Sequence, residues 1–380
     1  MTLSIDEKFM RLALDAASGV LGKTTPNPAV GCVLVKNNLV IGTGATGRAG
    51  DNHSEINALA QAAEHAEGAT AYVTLEPCSH YGRTPPCVNA LVKAEVKRVV
   101  VACIDPDPRV SGRGIEILKS AGIQVEVGCL AGEAVHLNRG FLSRVVRKRP
   151  WLTLKLAMSL DGRIACHNGH SQWITNAQAR QAGHQIRAIN DAILVGCGTV
   201  IADDPRLTVR LLEHGERAIK RVIIEGKRPC PSQARVLTDE YRHATIVMST
   251  DGKEAGRINA SQDYTRLVCQ PSKLGEKQID LLDAMHKLVA QDINSILVEG
   301  GSYTASALLK AGLVDEVQLF RAPCIIGGDG LTAIGDLGLE RVDESIKLQL
   351  LEIKQHGDNW QEFYLTQLSS AFMEGLYNKN

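Results

Sequence analysis

The first half of the chain alternates between segments with helical spacing and short apolar runs. A capping box at Ser4 and Glu7 precedes apolar residues that recur at helical period, which predicts a helix ending near Gly19. Apolar runs at 31–35 and 39–42 flank a polar tripeptide and predict a hairpin. Further elements follow in chain order: a helix from His53, a strand at 71–75, a helix after Pro86, a strand at 98–103, a helix at 114–121 and a strand at 124–127. This order predicts an α/β layered domain.

The second half repeats this alternation. Runs at 151–157 and 191–196 are apolar on both faces, as in the centre of a parallel sheet. The same reading places strands at 221–224, 244–248, 266–269, 295–298, 316–320 and in the last forty residues, with helices at 176–189, 278–290 and 302–311. The alternation predicts a second α/β domain.

A chain of 380 residues exceeds the size at which one core keeps growing, so two domains are expected. A basic run at 144–150 ends in proline just before a new apolar strand. It is either a solvated hinge or a patch for nucleic acid, and a hinge is favoured. We therefore predict a first domain at 1–147, a second at 148–367 and a tail at 368–380.

Composition narrows the class of protein. A formal net charge of zero argues against a sequence-independent nucleic-acid binder, which needs a basic surface. The N-terminus lacks a basic region followed by an apolar core, and no apolar run approaches the roughly 20 residues that span a bilayer. The ten cysteines are scattered through the chain. This pattern favours reduced thiols in a cytoplasmic enzyme, with metal binding as their special use.

The candidate chemistry is concentrated in residues 53–87. His53, Cys78 and Cys87 are three possible zinc ligands, and Glu55 is a carboxylate that need not bind the metal. Zinc on one imidazole and two thiolates keeps a fourth position for water and lowers the pKa of that water to roughly 7. His-x-Glu followed by Pro-Cys and a second Cys is the pattern of nucleobase deaminases, although the two cysteines here are farther apart.

These motifs resemble a known family. The motifs are Thr25-Pro26-Asn27-Pro28, His53-x-Glu55, and the stretch from Glu76 to Cys87 with its Gly82-Arg83-Thr84-Pro85-Pro86 insertion. Together they resemble the deaminase half of the bifunctional riboflavin-biosynthesis deaminase/reductases. The resemblance implies a cytidine-deaminase-like α/β/α domain, one zinc on His53, Cys78 and Cys87, and Glu55 as the catalytic proton shuttle. It also implies that Asn27 and His80 contact the pyrimidine.

No Gly-x-Gly-x-x-Gly follows a strand in the second half, so the Rossmann fingerprint is missing. A Gly300-Gly301 turn instead joins a strand to a helix, which suits either an anion or simple steric packing. The motifs around it are Lys155-x-Ala157, Ser171-x-Trp173, Arg187, the segment from Gly198 to Arg210, and Glu299-Gly300-Gly301. They resemble the reductase half of the same family.

The second resemblance implies an α/β domain similar to dihydrofolate reductase that uses NADPH. It implies cofactor contacts at Ala157, Trp173, Thr199, Asp203, Gly300, Gly301 and Ser302. It implies substrate contacts at Lys155, Ser171, Arg187, Leu207, Arg210 and Glu299. Arg187 and Arg210 both suit a sugar phosphate, because a planar guanidinium can donate two hydrogen bonds to phosphate oxygens.

Three positions depart from the family pattern. Thr46 stands where the family has a histidine, and Ser54 stands where it has alanine. Glu225-Gly226-Lys227 follows a strand where the family has Asp-x-Ser.

The interpretation is a bifunctional cytoplasmic enzyme of riboflavin synthesis that acts on small phosphorylated pyrimidines and forms a homo-oligomer through its reductase domain. Its first domain would deaminate 2,5-diamino-6-ribosylamino-4(3H)-pyrimidinone 5′-phosphate, and its second would reduce the ribose of the product with NADPH. No nucleic-acid or membrane partner is expected. Two alternatives stay open: a deaminase of nucleic-acid bases, and a structural zinc protein with an inactive reductase-like domain.

Overall fold

A computed structural model describes residues 3–82, 84–211, 215–250, 263–273 and 275–378. The chain forms two compact units, one spanning Met1–Lys148 and Ala371–Asn380, the other Arg149–Ser370. Both units combine helices with a sheet, mixed in the first unit and largely parallel in the second, which confirms the predicted α/β class. Among the described helices, none has the length and apolar character to cross a membrane.

The first unit is built on a five-stranded sheet. Its elements are α1 (Ile5–Ser18), β1 (Gly31–Lys36), β2 (Leu39–Ala45), α2 (Ser54–Ala62), β3 (Thr70–Val73), α3 (Cys87–Lys93), β4 (Arg98–Val101), α4 (Arg113–Ser120), β5 (Gln124–Val127), α5 (Ala131–Leu137) and α6 (Arg139–Arg147). The strand order is β2-β1-β3-β4-β5, with β1 antiparallel to both of its neighbours and β3, β4 and β5 parallel.

Local sequence explains several of these boundaries. The capping box predicted for α1 is present, because Ser4 Oγ accepts the Glu7 N–H and Glu7 accepts the Ser4 N–H. The β1–β2 turn places Asn37 and Asn38 in the left-handed region, which asparagine tolerates better than most residues. His53 occupies the N-cap of α2, so the helix starts one residue after the expected His53.

The second unit contains a nine-stranded sheet. Its elements are β6 (Trp151–Ser159), β7 (Arg163–Ala165), α7 (Ala177–Ile189), β8 (Ala192–Gly196), α8 (Cys197–Asp203), β9 (Val209–Leu211), β10 (Gly215–Arg217), β11 (Lys220–Ile224), α9 (Arg235–Thr238), β12 (Thr245–Ser249), β13 (Thr265–Val268), β14 (Pro271–Ser272), β15 (Gly275–Ile279), α10 (Leu281–Val289), β16 (Ser295–Val298), α11 (Ser302–Lys310), β17 (Glu316–Ala322), β18 (Leu331–Thr332), β19 (Leu348–His356), β20 (Asn359–Thr366) and α12 (Gln367–Tyr377).

The order of this sheet is β13-β12-β11-β8-β16-β6-β17-β20-β19. The strands from β13 to β17 are parallel, and the last two are antiparallel additions at one edge. β8, β16 and β6 lie next to one another in the middle, and for β6 and β8 this was predicted from their apolar character. Their carboxyl ends therefore meet at a single edge of the sheet.

The segment before the domain boundary differs from the expected hinge. Residues 144–147 belong to α6, and Arg149 is buried, where its guanidinium forms two hydrogen bonds to Asp315. The prediction of a solvated hinge is therefore wrong for Arg149. The cause is Asp315, which lies far along the chain and cannot be recognised from the basic run itself.

The predicted tail contains regular structure. Gln367–Tyr377 form α12, and the segment Ala371–Asn380 belongs to the first unit. There the Phe372 ring stacks on the Arg147 guanidinium, with 4.1 Å from the guanidinium carbon to the ring centre.

Candidate functional site

The first candidate site lies at one edge of the five-stranded sheet. The register pairs Gly31 with Ala45 and Cys32 with Val73, so the start of β1 lies beside the ends of β2 and β3. The end of β4 is adjacent, because Val73 pairs with Val101. Segments that enter or leave these strands at that edge carry the predicted deaminase residues.

His53, Cys78 and Cys87 converge into a potential metal centre. Their ligand atoms all lie within 4.8 Å of one another. His53 Nδ1 is 3.3 Å from Cys87 Sγ and 3.6 Å from Cys78 Sγ, while Nε2 is 3.5 Å from Thr84 Oγ1. Tetrahedral zinc with bonds of about 2.0–2.3 Å separates its ligand atoms by roughly 3.3–3.8 Å, so this donor set fits zinc.

The two thiols shift each other's pKa in opposite directions. The hydrogen bond from the Cys87 thiol lowers the pKa of Cys78, and the Cys87 N–H also donates to Cys78 Sγ. The same pairing raises the pKa of Cys87. A thiol whose pKa is lowered is the more readily available as a thiolate ligand for a metal ion.

Glu55 lies on the first turn of α2 with its side chain almost fully buried. Burial raises the pKa of this carboxyl, and the negative charge on Cys78 adds to the effect. The Ser54 hydroxyl donates to Glu55 Oε2 over 2.8 Å. A buried carboxyl that holds its proton more readily than usual is suited to general acid–base chemistry.

The predicted pyrimidine contacts lie in segments that enter β1 or leave β3 at the same edge of the sheet. His80 Nδ1 is buried without a hydrogen-bond partner among the described residues, so it is available to a ligand. Asn27 is half-buried in the loop before β1. The Thr46 side chain binds the backbone instead, since its hydroxyl oxygen accepts the Val30 N–H at 3.0 Å. Its side chain is therefore engaged with the backbone at the position where the family has histidine.

Asp105, which follows β4 at the same edge, was not predicted from the sequence. Burial raises the pKa of Asp105 to about 7, and the Asp107 and Glu76 carboxylates also oppose its ionisation. Glu76 is itself buried and accepts the N–H groups of Asp105, Gly112 and Gly114. The Asp-Pro-Asp-Pro turn directly after an apolar strand was the available signal.

The second candidate site lies at the carboxyl edge of β6, β8 and β16. Arg187 donates to both carboxylate oxygens of Glu299 at 2.7 and 2.6 Å, and its remaining terminal nitrogen donates to the Thr208 carbonyl. Although burial opposes ionisation, Arg187 lowers the pKa of Glu299 to about 2. Two residues expected to contact the substrate thus pair with each other.

Lys155 completes this charged group. Its side chain leaves the middle of β6, with Nζ 5.2 Å from the centre of the Phe320 ring. Burial lowers the pKa of Lys155, while the Glu299 carboxylate partly offsets that effect. A lysine with a lowered pKa is better able to exchange a proton near neutral pH.

Two strand-to-helix turns lie side by side at this edge. Thr199 Oγ1, in α8, accepts the Gly301 N–H at 3.2 Å, which joins the turn after β8 to the turn after β16. A Cβ on Gly300 would lie 2.8 Å from the Thr304 Cβ, so this glycine is required by packing. A Cβ on Gly301 would meet only Thr199 Oγ1 at 3.7 Å, which leaves room at the turn.

This edge fits a dinucleotide phosphate. α11 begins at Ser302 without a capping side chain, so its first N–H groups are free of intrahelical partners. Gly301 leaves the approach to them open. Steric packing explains Gly300, whereas Gly301 and Ser302 are compatible with an anion.

The remaining predicted residues are more dispersed. Trp173 is 70% exposed and lies over the Arg180 guanidinium. Asp203 ends α8 on the surface, while Leu207 is buried in the core. Ser171 is half-buried in the loop before α7, and Ala157 pairs with Phe320 across β6 and β17. For Leu207, core packing is a sufficient structural role.

Glu225, at the departure from the family pattern, is engaged internally. One of its carboxylate oxygens accepts the Cys230 N–H at 2.8 Å, and the other lies 3.2 Å from Arg266. Gly226 and Lys227 are exposed after this buried pair.

Comparisons with known families cover both units. The model of the RibD C-terminal domain matches residues 150–361. The model of the cytidine and deoxycytidylate deaminase zinc-binding region matches residues 3–103. The chain is 40% identical to the riboflavin biosynthesis protein RibD of Aquifex aeolicus over 364 residues, covering 96% of this chain and 99% of the relative. It is 42% identical to the Escherichia coli protein of the same name, covering 93% and 97%.

Solved structures give the same result. RibD of Acinetobacter baumannii superposes with a TM-score of 0.85 at 40% identity, covering 96% of this chain and 99% of the other. A diaminohydroxyphosphoribosylaminopyrimidine deaminase/5-amino-6-(5-phosphoribosylamino)uracil reductase from Thermotoga maritima gives 0.84 at 34% identity, covering 95% and 99%. Both similarities extend over the two units together.

Proposed function

Because the chain belongs to the RibD family of bifunctional riboflavin-biosynthesis deaminase/reductases, we propose which of its residues carry each of the two reactions. The family membership favours this two-reaction enzyme over a deaminase of nucleic-acid bases and over a structural zinc protein. The proposed substrates are 2,5-diamino-6-ribosylamino-4(3H)-pyrimidinone 5′-phosphate for the deaminase and 5-amino-6-(5-phosphoribosylamino)uracil for the reductase.

In the deaminase unit, His53, Cys78 and Cys87 would hold the zinc. Bound zinc supplies the Lewis acidity that makes a water molecule acidic near neutral pH. The Glu55 carboxylate takes a proton from the attacking water and returns it to the amino group that leaves as ammonia. The observation that supports this assignment is the convergence of three ligand atoms within 4.8 Å beside a buried carboxyl.

Asn27 and His80 would hold the pyrimidine ring in front of these groups. The amide of Asn27 offers both a donor and an acceptor, and His80 Nδ1 has no internal partner among the described residues. Such protein groups can pair with the polar edges of a pyrimidine ring. They also give specificity, because a wrong ligand that leaves one of them without a hydrogen bond loses affinity.

In the reductase unit, NADPH supplies the two reducing electrons. We assign its contacts to Ala157, Trp173, Thr199, Asp203, Gly300, Gly301 and Ser302. Lys155 would donate a proton to the ribose ring oxygen as its bond to C1′ breaks and C1′ receives the hydride. Arg210 would bind the sugar phosphate. The Arg187–Glu299 pair would present the Glu299 carboxylate to the ribose hydroxyls, with Ser171 and Leu207 beside them.

The test of the deaminase assignment is Glu55→Gln. The amide keeps the shape of the side chain but cannot accept the proton, so ammonia release should fall by at least about 100-fold, the usual contribution of a general base. Zinc content should stay near one ion per chain, and NADPH oxidation with the deaminated intermediate should persist. Glu64→Gln, at an exposed position, is the control. Full ammonia release by Glu55→Gln would exclude this role for Glu55.

We also propose that the enzyme is a homo-oligomer joined through β19 of the reductase unit. β19 is a nine-residue edge strand with exposed apolar side chains, including Leu350 and Ile353. Its outer N–H and C=O groups can pair with a second copy. Antiparallel pairing centred on Ile353 would place Glu352 of one copy opposite Lys354 of the other.

We place both reactions in the cytoplasm, since none of the ten cysteines forms a disulfide.

A further inference from the structure

His184 contacts the predicted phosphate ligand Arg210 but had no assigned role. It lies on α7, three residues before Arg187, so the two share one face of the helix. The Arg210 N–H, in β9, donates to His184 Nδ1 at 3.2 Å. A neutral imidazole that accepts at Nδ1 carries its hydrogen on Nε2. The Nε2–H of His184 is therefore a donor that faces the Arg210 guanidinium.

That donor faces a second donor. His184 Nε2 is 3.5 Å from a terminal nitrogen of the Arg210 guanidinium. A guanidinium has five N–H donors and no acceptor, so the two groups cannot bond to each other while Nδ1 is accepting. Both are satisfied together only by an acceptor that lies against them. A phosphate oxygen can accept from several donors at once.

The other arginine at this site has three of its five N–H donors engaged. All three guanidinium nitrogens of Arg187 donate to Glu299 or to the Thr208 carbonyl. Among the described residues Arg210 forms no ion pair. Glu216, which is opposite Arg210 in the β9–β10 pair, lies against Arg206 instead. Arg210 is thus the guanidinium that remains open to an anion.

The surrounding charge also favours an anion. His184 faces Arg187, Arg210 and Lys155, against the single carboxylate of Glu299. Partial burial and these cations lower the pKa of His184 to about 4. The ring is therefore neutral at physiological pH and offers one directed N–H rather than another charge.

We propose that His184 Nε2 and the Arg210 guanidinium jointly bind the phosphate monoester of the substrate's sugar. This inference rests on the proposed function, in which Arg210 faces the sugar phosphate. His184 also fixes the position of Arg210, because its Nδ1 holds the Arg210 backbone N–H. Arg187 then serves to orient Glu299.

The experiment compares binding of ribose 5-phosphate and of ribose to the full-length protein by calorimetry, in four variants: His184→Leu, His184→Gln, Gln185→Leu and Arg210→Met. His184→Leu removes both ring nitrogens, whereas His184→Gln keeps one acceptor and one donor. Gln185→Leu changes an exposed neighbour on the same helix and is the control. His184→Leu should weaken ribose 5-phosphate binding by about 10- to 100-fold, the range for one hydrogen bond to a charged group, and leave the weaker ribose binding unchanged.

Two further readouts separate recognition from general damage. His184→Leu should raise KM for the phosphorylated intermediate more than it lowers kcat, and His184→Gln should recover most of the loss. The affinity for NADPH and the rate of ammonia release should not change.

The outcomes distinguish the two assignments. If Arg210→Met loses ribose 5-phosphate binding while His184→Leu does not, the role of His184 is wrong and that of Arg210 stands. If neither variant affects binding, the proposed phosphate site fails as a whole. Equal weakening of ribose and ribose 5-phosphate by His184→Leu would also overturn the inference, because the effect would then not depend on phosphate.

Discussion

Among single residues, Asp105 should make the stability of the deaminase unit depend on pH. Its carboxyl keeps a proton up to about pH 7 in the folded state but titrates near 3.9 when unfolded. Between these values the folded state binds more protons than the unfolded state, so the free energy of unfolding falls as pH rises from about 4 to 7.

Asp105→Asn removes this dependence. Between pH 5 and pH 8 the variant should gain about 3 kcal/mol relative to wild type, at about 1.4 kcal/mol for each pH unit below 7. Chemical denaturation at the two pH values, followed by far-ultraviolet circular dichroism, measures the difference. Parallel pH profiles for variant and wild type would show that Asp105 titrates normally.

Individual site residues could be predicted where one short segment holds several partners, but the relations between distant residues could not. His53, Cys78 and Cys87 were found because their types and order suit one metal. Arg187 and Glu299 were each expected to contact substrate, yet they pair with each other across 112 positions. His184 carries no motif of its own, and the Asp-Pro-Asp-Pro turn at Asp105 becomes informative only when burial and neighbours are known.

Among the elements, α2 depends on close approach to β2. A Cβ on Gly44 would lie 2.1 Å from the Ser54 carbonyl oxygen and 2.5 Å from the Ala58 nitrogen, both in the backbone of α2. Backbone atoms cannot move aside as the end of a flexible side chain can. The N-terminus of α2, which carries His53 and Glu55, would have to shift.

Gly44→Ala should therefore reduce zinc content and ammonia release together. Overpacking of this kind costs about 1–3 kcal/mol, enough to lower metal affinity by about 10-fold or more. Gly132→Ala is the control, because a Cβ there meets nothing within 4 Å. NADPH oxidation with the deaminated intermediate should stay normal in both variants. Unchanged zinc content in Gly44→Ala would mean that α2 tolerates the displacement.

Element boundaries followed the sequence wherever capping residues are local. Ser4 and Asn176 cap α1 and α7 through their own side chains, and the strand at 295–298 was predicted with its observed bounds. Asp280 caps α10, which begins three residues after the predicted start at Gln278. The helices α5 and α6 were missed. Gly132 and Gly140 interrupt a weak apolar pattern there, and packing rather than propensity stabilises such helices.

At the scale of the whole molecule, the free edge of β19 should determine the oligomeric state. Ile353→Lys would bring two ammonium groups side by side at the centre of a self-paired strand, so the mass measured by light scattering should fall toward that of one chain. Val342→Lys, at a position that is 85% exposed away from this strand, is the control. A wild-type protein that is already monomeric, or no change in Ile353→Lys, would contradict the proposed interface.

The division into two units has a consequence for the biogenesis of the enzyme. A polypeptide emerges from the ribosome N-terminus first, and domains fold as they emerge. The deaminase unit contains Ala371–Asn380, so its fold cannot be completed until the whole reductase unit has been synthesised. A gene fragment for residues 1–148 would encode Arg147 without the Phe372 ring that covers it. A single division of the gene therefore does not separate the two units. The codons for 371–380 would also have to be joined to those for 1–148.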